Sequence, residues 1–292
     1  MIITHGAIGA NALVYQAVVG SGDRVVSVLP TYQQHYSIPE SLGAHVDVLW
    51  LREENGFLPD LDELAELVVP GTRLIAVNNP NNPSGALLDE STLRAIAAMA
   101  DKVGAYVLCD EVYRGVAIEG DDLGPSIVDV YARGISTGGM SKAFSLAGLR
   151  LGWITGPVDL IGAVAIHRDY NTISVGVIDD LLATIALDHK DAILARSREI
   201  VRRNFTVLDA WVDREPRISY LPPRAGTTAL LKYDLERPSH ELATEILART
   251  GALLTPGSAM SMEGYLRIGY AGDTDVLRAG LERISAYIAE TW

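Results

Sequence analysis

The sequence predicts an α/β protein, in which a mostly parallel sheet covered by helices is followed by a smaller C-terminal α+β domain. Two observations predict this fold class. Short apolar runs rich in β-branched residues alternate with amphipathic helical stretches up to about residue 175. Beyond that point, long charged helical stretches and short strands follow one another in mixed order. Alternation of strands and helices favours parallel pairing, whereas the mixed order favours an α+β unit.

The elements of the first part are set by apolar runs and by the residues that stop them. Predicted strands lie at residues 24–29, 46–51, 74–78, 105–110, 134–137 and 151–155. Predicted helices lie at residues 9–19, 61–69 and 89–103. Pro70 and Gly71 end the second of these helices, and we expect Asp89, Ser91 or Thr92 to cap the third.

The second part of the chain contains fewer strands and longer helices. Predicted helices lie at residues 177–187, 190–211, 239–250 and 274–289, and predicted strands at residues 218–221, 228–233, 252–255 and 265–268. We place the domain boundary inside the second of these helices, near residue 200. Residues 1–200 then form the large domain and residues 201–292 the small domain.

Composition restricts the class of protein. The 292 residues are 48% hydrophobic and 21% charged, as in ordinary globular domains. A net charge of −13 disfavours nucleic acid as a partner, and no apolar run reaches the ~18 residues that span a bilayer. The single cysteine, Cys109, lies in an apolar run and is expected to be a buried structural thiol, which excludes an internal disulfide and a multi-cysteine zinc site. With no signal peptide indicated, we expect a cytoplasmic protein without a metal centre.

Polar clusters follow four of the predicted strands. They lie at residues 30–32, 78–85, 110–113 and 138–142. In open α/β sheets, ligands bind beyond the carboxyl ends of the strands. Four such clusters therefore predict one shared pocket.

Lys142 is the first candidate for chemistry in that pocket. It follows a predicted strand and a Gly-Gly turn, within the run GMSKAFSLAGLRLGW at residues 139–153. Desolvation there would lower the pKa of its amine and make it available for imine formation. A lone lysine is more often a solvated surface residue. Arg150, eight residues later, has the planar fork that suits a phosphate group.

Five further motifs accompany this lysine. They are THGAIGA at residues 4–10, PTY at 30–32, NPNNPSG at 79–85, DEVY at 110–113 and YLRIG at 265–269. Taken singly, each has an ordinary structural explanation. A glycine-rich turn is weak by itself, Asn/Pro runs are common turns, Tyr32 could pack in a core, Asp110 could cap a helix, and Arg267 could lie on an edge strand.

The six motifs, in the order in which they occur along the chain, resemble those of the aminotransferase class I/II family, pyridoxal-phosphate enzymes of fold type I. The resemblance covers nearly the whole chain and implies the family's seven-stranded sheet in the large domain. It implies that Lys142 holds the cofactor as a Schiff base and serves as acid and base. Asp110 would pair with the pyridine nitrogen, which keeps the ring cationic, and Tyr113 and Asn82 would donate to the phenolic oxygen.

The same resemblance implies the remaining contacts. Tyr32 would stack on the ring, and Arg267, with Asn82, would bind the substrate carboxylate. The phosphate would be bound by the amides of Ala7 and Ile8 together with Ser141 and Arg150. Gly139 stands where many members have a phosphate-binding serine or threonine. Ser141 would therefore make this hydroxyl contact to the phosphate alone.

The activity implied is transfer of an amino group between an amino acid and a 2-oxo acid, by a homodimer. The same residues serve a carbon–sulfur β-lyase or another α-carbon enzyme, which stays an alternative. A cofactor-binding fragment without activity, or a ligand-sensing domain, is an alternative of another class. Family members carry a substantial segment before the first phosphate loop, and this chain opens almost on that loop. We therefore expect the N-terminus to be incomplete.

Overall fold

The computed structural model describes residues 1–120 and 123–291. Its first sheet has seven strands in the order β1-β7-β6-β5-β4-β2-β3. The strands are β1 Ile2–Thr4, β2 Arg24–Leu29, β3 His45–Trp50, β4 Thr72–Asn78, β5 Tyr106–Asp110, β6 Gly134–Gly139 and β7 Gly152–Thr155. The five strands from β6 across to β3 pair in parallel, whereas β7 runs antiparallel to both β6 and β1. The predicted mostly parallel sheet is confirmed.

Both faces of this sheet are covered, which explains why its central strands are apolar throughout. On one face, Ile75 and Val107 belong to one buried cluster; on the other, Leu74 and Leu108 belong to a second. Strands buried on both faces read as continuous apolar runs instead of alternating ones. Cys109 is fully buried in β5, as predicted for a structural thiol.

The helices of this part are α1 Gly6–Val18, α2 Gln34–Ser41, α3 Leu61–Leu67, α4 Glu90–Val103, α5 Ile127–Val130 and α6 Val158–Asp169. The sequence missed three of them. The second contains Pro39, which argues against a helix. The fifth has four residues, too few for periodicity to show, and the sixth buries only Leu160 and Val164. Tertiary packing decides such weakly patterned helices.

The second sheet is antiparallel, with four strands in the order β10-β11-β9-β8. Its strands are β8 Ile218–Ser219, β9 Thr228–Tyr233, β10 Thr255–Pro256 and β11 Tyr265–Gly269, and the helices are α7 Val177–Asp188, α8 Lys190–Val212, α9 Ser239–Thr250 and α10 Thr274–Thr291. Trp211, Leu231, Leu266 and Ile284 lie in its buried core. The predicted C-terminal α+β unit is confirmed.

The domain boundary that we place near residue 200 falls inside α8 and stays a prediction. Trp292, the last residue assigned to the small domain, lies outside the described residues. Within the described ranges, no helix is long and apolar enough to cross a membrane.

Candidate active site

A cleft of about 340 Å³ lies at the carboxyl ends of the parallel strands, closed on one side by β9 and β11 of the second sheet. Every site residue predicted from the sequence lines it. These residues are Ala7, Ile8, Tyr32, Asn82, Asp110, Tyr113, Ser141, Lys142, Arg150 and Arg267. The structure therefore brings together residues that are up to 260 positions apart in the chain, through the strand ends that carry them.

One end of the cleft is built to receive an anion. The first turn of α1, with Ala7 and Ile8, offers backbone N–H groups that have no acceptor within the helix. Arg150 lies beside this turn, and a Cβ on Gly6 would come within 3.0 Å of its Nη2 atom. Arg150 Nη1 also donates to Ser141 Oγ at 3.2 Å and to the carbonyl of Ala147 at 2.9 Å. A guanidinium, a hydroxyl and helix amides thus converge on one point.

Two glycines let the backbone close up beneath this turn. A Cβ on Gly152 would lie 2.6 Å from the amide nitrogen of Ala7, which is closer than real Cβ atoms approach. Only a glycine at position 152 therefore lets β7 pass under the turn. A Cβ on Gly139 would lie 3.2 Å from the same nitrogen. The glycine that replaces the family's serine or threonine at position 139 therefore sits against the anion-binding turn.

Asp110 ends β5 and also lines the cleft. Its Oδ2 atom accepts a hydrogen bond from Asn11 Nδ2 at 2.8 Å, and its Oδ1 atom accepts one from the amide of Val112 at 3.1 Å. Thr137 Oγ1 in turn donates to Asn11 Oδ1 at 2.7 Å. With 5% exposure, the carboxylate is held in one orientation by bonded partners.

His35 and Tyr15 lie behind this carboxylate. His35 is fully buried, and its Nε2 atom is 3.5 Å from Asp110 Oδ2. Its Nδ1 atom is 3.0 Å from the hydroxyl of Tyr15. Burial and the nearby Asp110 raise the pKa of Tyr15 well above its usual value, so its hydroxyl stays protonated and can donate.

Lys142 and Tyr113 are neighbours in the lining of the cleft. Lys142 Nζ is 5.9 Å from the centre of the Tyr113 ring. Burial lowers the pKa of the Lys142 amine, and the guanidinium groups of Arg267 and Arg150 lower it further. Burial, followed by Asp110, raises the pKa of Tyr113 to about 12, so its hydroxyl remains a hydrogen-bond donor at neutral pH.

The loop after β4 connects the two sheets at the cleft. Asn78 donates through Nδ2 to the carbonyl of Asp110 at 2.7 Å, and its Oδ1 atom accepts from the amide of Asn82 at 2.6 Å. Arg267 on β11 donates through Nη1 to Asn82 Oδ1 at 3.1 Å and through Nη2 to Thr255 Oγ1 at 3.0 Å. The guanidinium is therefore held at the cleft by the loop after β4 on one side and by β10 on the other.

Some lining residues were not singled out from the sequence. They are Asn11, Gln34, Asn78, Val112, Ala147 and Thr228. One helical turn separates Asn11 from Ala7, and that spacing could have placed it on the cleft side of α1.

With this geometry, the chain belongs to the family described as Aminotransferase class I and II, which it matches over residues 1–284. Capreomycidine synthase from Streptomyces vinaceus is 33% identical over 98% of this chain and 73% of that protein. A probable aspartate/prephenate aminotransferase from Thermus aquaticus is 30% identical over 97% of this chain and 74% of that protein. A crystal structure of a PLP-dependent aminotransferase from Streptococcus suis 89-1591 has a TM-score of 0.96 and 42% identity, over 99% of this chain and 76% of that one.

The family resemblance inferred from the motifs is thus confirmed, and with it the reaction class and the cofactor. The chain is a pyridoxal-phosphate-dependent aminotransferase, whose substrates are an amino acid and a 2-oxo acid. The cleft fits that cofactor. Its lining combines a helix turn and a guanidinium suited to an anion at Gly6 and Arg150, a buried carboxylate at Asp110 suited to a ring nitrogen, and the Lys142 amine with a lowered pKa.

Proposed function

We propose that this aminotransferase works through the ten residues that line the cleft, with Lys142 as its covalent attachment point and proton carrier. The observation that carries the proposal is that Lys142, whose pKa is lowered by desolvation and by the guanidinium groups of Arg267 and Arg150, lines the same cleft as the buried Asp110 carboxylate. Arg150, Ser141 and the amides of Ala7 and Ile8 would hold the phosphate. Asp110 would hold the ring nitrogen, and Tyr32 would cover the ring.

Pyridoxal phosphate, when bound, supplies an electron-accepting ring conjugated to the transferred nitrogen. The chain orients the substrate for this chemistry. Arg267 binds the α-carboxylate with two charge-assisted hydrogen bonds, which fixes the direction of the Cα–H bond. Asn82 restrains Arg267 from one side and Thr255 from the other.

Lys142 moves the proton. Its Nζ atom would accept the proton from the substrate Cα. It would then deliver that proton to the cofactor carbon that is bonded to the transferred nitrogen. A lowered pKa favours this exchange because the neutral amine is available nearer to neutral pH. Tyr113 and Asn82 would donate hydrogen bonds to the phenolic oxygen of the cofactor.

The attachment point is tested by borohydride reduction of the protein with bound pyridoxal phosphate, followed by peptide mass analysis. We expect the pyridoxyl group on Lys142, and its loss in Lys142→Ala. Lys102→Ala, on the surface helix α4, is the matched control and should keep the label. A label that persists in Lys142→Ala would refute the assignment.

A second candidate function is a different reaction at the α-carbon, such as a β-elimination or a ring closure. The observation that favours it is the 33% identity to a capreomycidine synthase, a relative that is not named as an aminotransferase. Product analysis without any added 2-oxo acid separates the two. Transamination then stops after one amino group per active site, whereas a lyase or cyclase continues to turn over.

We also propose a homodimer that buries an apolar ridge on α7. Val177, Ile178 and Leu181 are 84%, 73% and 59% exposed along one helix, and exposed apolar patches mark interaction sites. The same helix packs Ala183 and Ala186 against Met140 and Leu151, directly behind the Lys142 loop. A second copy on this ridge would therefore lie next to the active site.

Light scattering of the purified protein tests the assembly. We expect twice the mass of one chain, and Leu181→Asp should reduce it to a single chain. Val276→Asp, at an exposed position on α10, is the matched control and should leave the mass unchanged. A single-chain mass for the unmodified protein would contradict the proposal.

We propose the cytoplasm as the location of the protein. Its single cysteine is a buried free thiol, which is compatible with a reducing compartment. Cell fractionation with a tagged full-length gene product is the direct test, and recovery in the membrane or secreted fraction would contradict it.

A further inference from the structure

Asn11, on α1, lines the cleft but has no part in the proposed function. It is buried, and its Nδ2 atom donates to Asp110 Oδ2 at 2.8 Å. Within residues 1–120 and 123–291, Asn11 is the one side chain that donates a hydrogen bond to this carboxylate. His35 Nε2 lies 3.5 Å from the same oxygen and makes no hydrogen bond. The Asp110 carboxylate therefore depends on the Asn11 amide more than on any other side chain.

The neighbours of Asn11 decide which end of its amide faces Asp110. The carbonyl of Ile8 can only accept, so Gln34 turns its Nε2 atom to that carbonyl, at 2.9 Å. Gln34 then presents its Oε1 atom to Asn11 Nδ2, at 3.4 Å. Thr137 Oγ1 donates to Asn11 Oδ1 at 2.7 Å. Bonds on both sides thus place the NH2 group of Asn11 towards Asp110, as an amide orientation is assigned from its network.

Both oxygen atoms of Asp110 consequently receive an N–H donor. Oδ1 accepts from the backbone amide of Val112 at 3.1 Å, and Oδ2 accepts from Asn11. Hydrogen bonds donated to the charged form of an acid favour that form over the protonated one. Two such donors therefore oppose the transfer of a proton to Asp110.

This opposition bears on the cofactor, because Asp110 and the ring nitrogen would share one proton. The ring accepts electrons well when that proton stays on the nitrogen. Loss of the Asn11 donor would make the carboxylate more basic and draw the proton away from the ring. The other titratable side chains that face or adjoin this carboxylate are His35, Tyr15, Tyr113 and Cys109. They stay the same when only Asn11 is changed.

We propose that Asn11 is a positioning residue that, through its bond to Asp110, keeps the shared proton on the ring nitrogen of pyridoxal phosphate. Thr137 and Gln34 fix the amide for this role. The proposal rests on the proposed function, because Asp110 must contact the ring nitrogen. It adds a residue that lies outside the six motifs, one position beyond the first of them.

The test is nitrogen-15 NMR of the full chain with bound pyridoxal phosphate labelled at its ring nitrogen, recorded over a pH series. The chemical shift separates a protonated ring nitrogen from a neutral one. In Asn11→Leu, which has a similar size and no amide, we expect the ratio of protonated to neutral nitrogen at a given pH to fall about tenfold. A hydrogen bond to a charged group has an effect of this order.

Two outcomes of this measurement have different meanings. An unchanged ratio in Asn11→Leu overturns this proposal alone, even where the variant binds the cofactor less tightly, since a merely structural role would not move the proton. A neutral ring nitrogen in the unmodified protein at neutral pH overturns the proposed role of Asp110 as well.

Thr137→Val tests the orientation of the amide and keeps the proposal testable where Asn11→Leu fails to fold. It retains the Asn11 side chain and removes the hydroxyl that holds it, so we expect the same ratio to fall by a smaller factor. Thr274→Val is the matched control, because Thr274 Oγ1 donates at 2.7 Å to the amide oxygen of Asn204, a buried asparagine on α8. The control should keep the unmodified ratio. An equal fall in both threonine variants, or no fall in Thr137→Val, overturns the role of the oriented amide.

Discussion

At the scale of single residues, the most consequential property is the charge state of Lys142. Burial disfavours its ammonium form, and the guanidinium groups of Arg267 and Arg150 disfavour it further. All three effects act in the same direction and lower the pKa. The two arginines proposed to bind the substrate carboxylate and the cofactor phosphate therefore also favour the neutral form of the Lys142 amine.

This coupling predicts a shift in pH dependence when Arg267 is changed. Arg267→Gln removes a positive charge, so the pKa of Lys142 should rise and the neutral amine should form only at higher pH. The rate at which the protein without cofactor reacts with pyridoxal phosphate should therefore rise with pH through a higher midpoint. Arg267→Lys keeps the charge and should leave the midpoint near that of the unmodified protein. A midpoint that falls in Arg267→Gln would contradict the coupling.

At the scale of elements, α4 shows how local sequence defines a helix. Asp89 Oδ1 accepts a hydrogen bond from the amide of Thr92 at 2.8 Å, and Gly104 ends the helix with a φ of 71°. Between them, Leu93, Ile96 and Ala100 recur at helical spacing and are buried. Asp89 is one of the three caps that the sequence allowed.

Asp89→Ala should lower the free energy of unfolding by about 1 kcal/mol at neutral pH, the usual value of an N-cap. Its hydrogen bonds, first from the amide of Thr92, hold the pKa of Asp89 below its usual value. A carboxylate with a lowered folded-state pKa stabilises above the unfolded value of about 3.9 and loses this effect as pH falls through the folded value. Urea unfolding at neutral and acidic pH should show a difference that shrinks in acid.

The control for this prediction is at the other end of the same helix. Asp101→Ala removes an exposed carboxylate from the last turn, where a negative charge is unfavourable to the helix dipole. It should leave stability unchanged or slightly raised. Equal losses in both variants would mean that charge alone, and not the cap geometry, is responsible.

A contact between the two sheets positions β11, the strand that carries Arg267. Glu53 Oε2 accepts hydrogen bonds from Tyr265 at 2.7 Å and from Lys232 at 2.9 Å, and these two residues face each other on β11 and β9. The Tyr265 ring also meets that of Phe57 edge to face, with 6.4 Å between ring centres. The turn at Glu53 thus fixes the strand two residues from Arg267.

Glu53→Ala should weaken substrate binding more than catalysis. Because the ion pair is partly exposed, most of the effect comes from the Tyr265 hydrogen bond, and we expect KM to rise about threefold with little change in kcat. Affinity for pyridoxal phosphate should stay the same. Glu54→Ala, on the neighbouring residue, is the matched control. A change in kcat with constant KM would show that Glu53 acts on the chemistry instead.

At the scale of the whole molecule, the cleft depends on strand ends from both sheets, so ligand binding and folding are linked. Pyridoxal phosphate at about 100 times its Kd should raise the free energy of unfolding by about 2.7 kcal/mol. Arg150→Gln should give a smaller gain at the same concentration, as should pyridoxal without its phosphate. Thermal unfolding with and without ligand measures both. An equal gain with pyridoxal would contradict the phosphate role of Arg150.

The sequence by itself determined the core of the sheet and the identity of the site. The strand 24–29 and the helix 239–250 were predicted with the bounds that the structure has. The spacing of their apolar residues indicates directly which side chains are buried. All ten predicted site residues line one cleft, because five of the six motifs lie at the carboxyl ends of strands of the first sheet. The sixth motif is strand β11 itself, whose Arg267 contacts Asn82 at that edge. A motif whose chemistry needs particular side chains can be recognised in the sequence without knowledge of the structure around it.

Only the tertiary structure decided which supporting groups meet these residues. Asn11 reaches Asp110 across 99 positions, and Glu53 reaches Tyr265 across 212. No local pattern encodes such pairs, since they exist only after two sheets have packed. The same is true of α2, a helix formed in spite of Pro39. Each residue proposed to carry the chemistry lies in a short motif that the sequence alone reveals, whereas the contacts that position these residues form only when the chain packs.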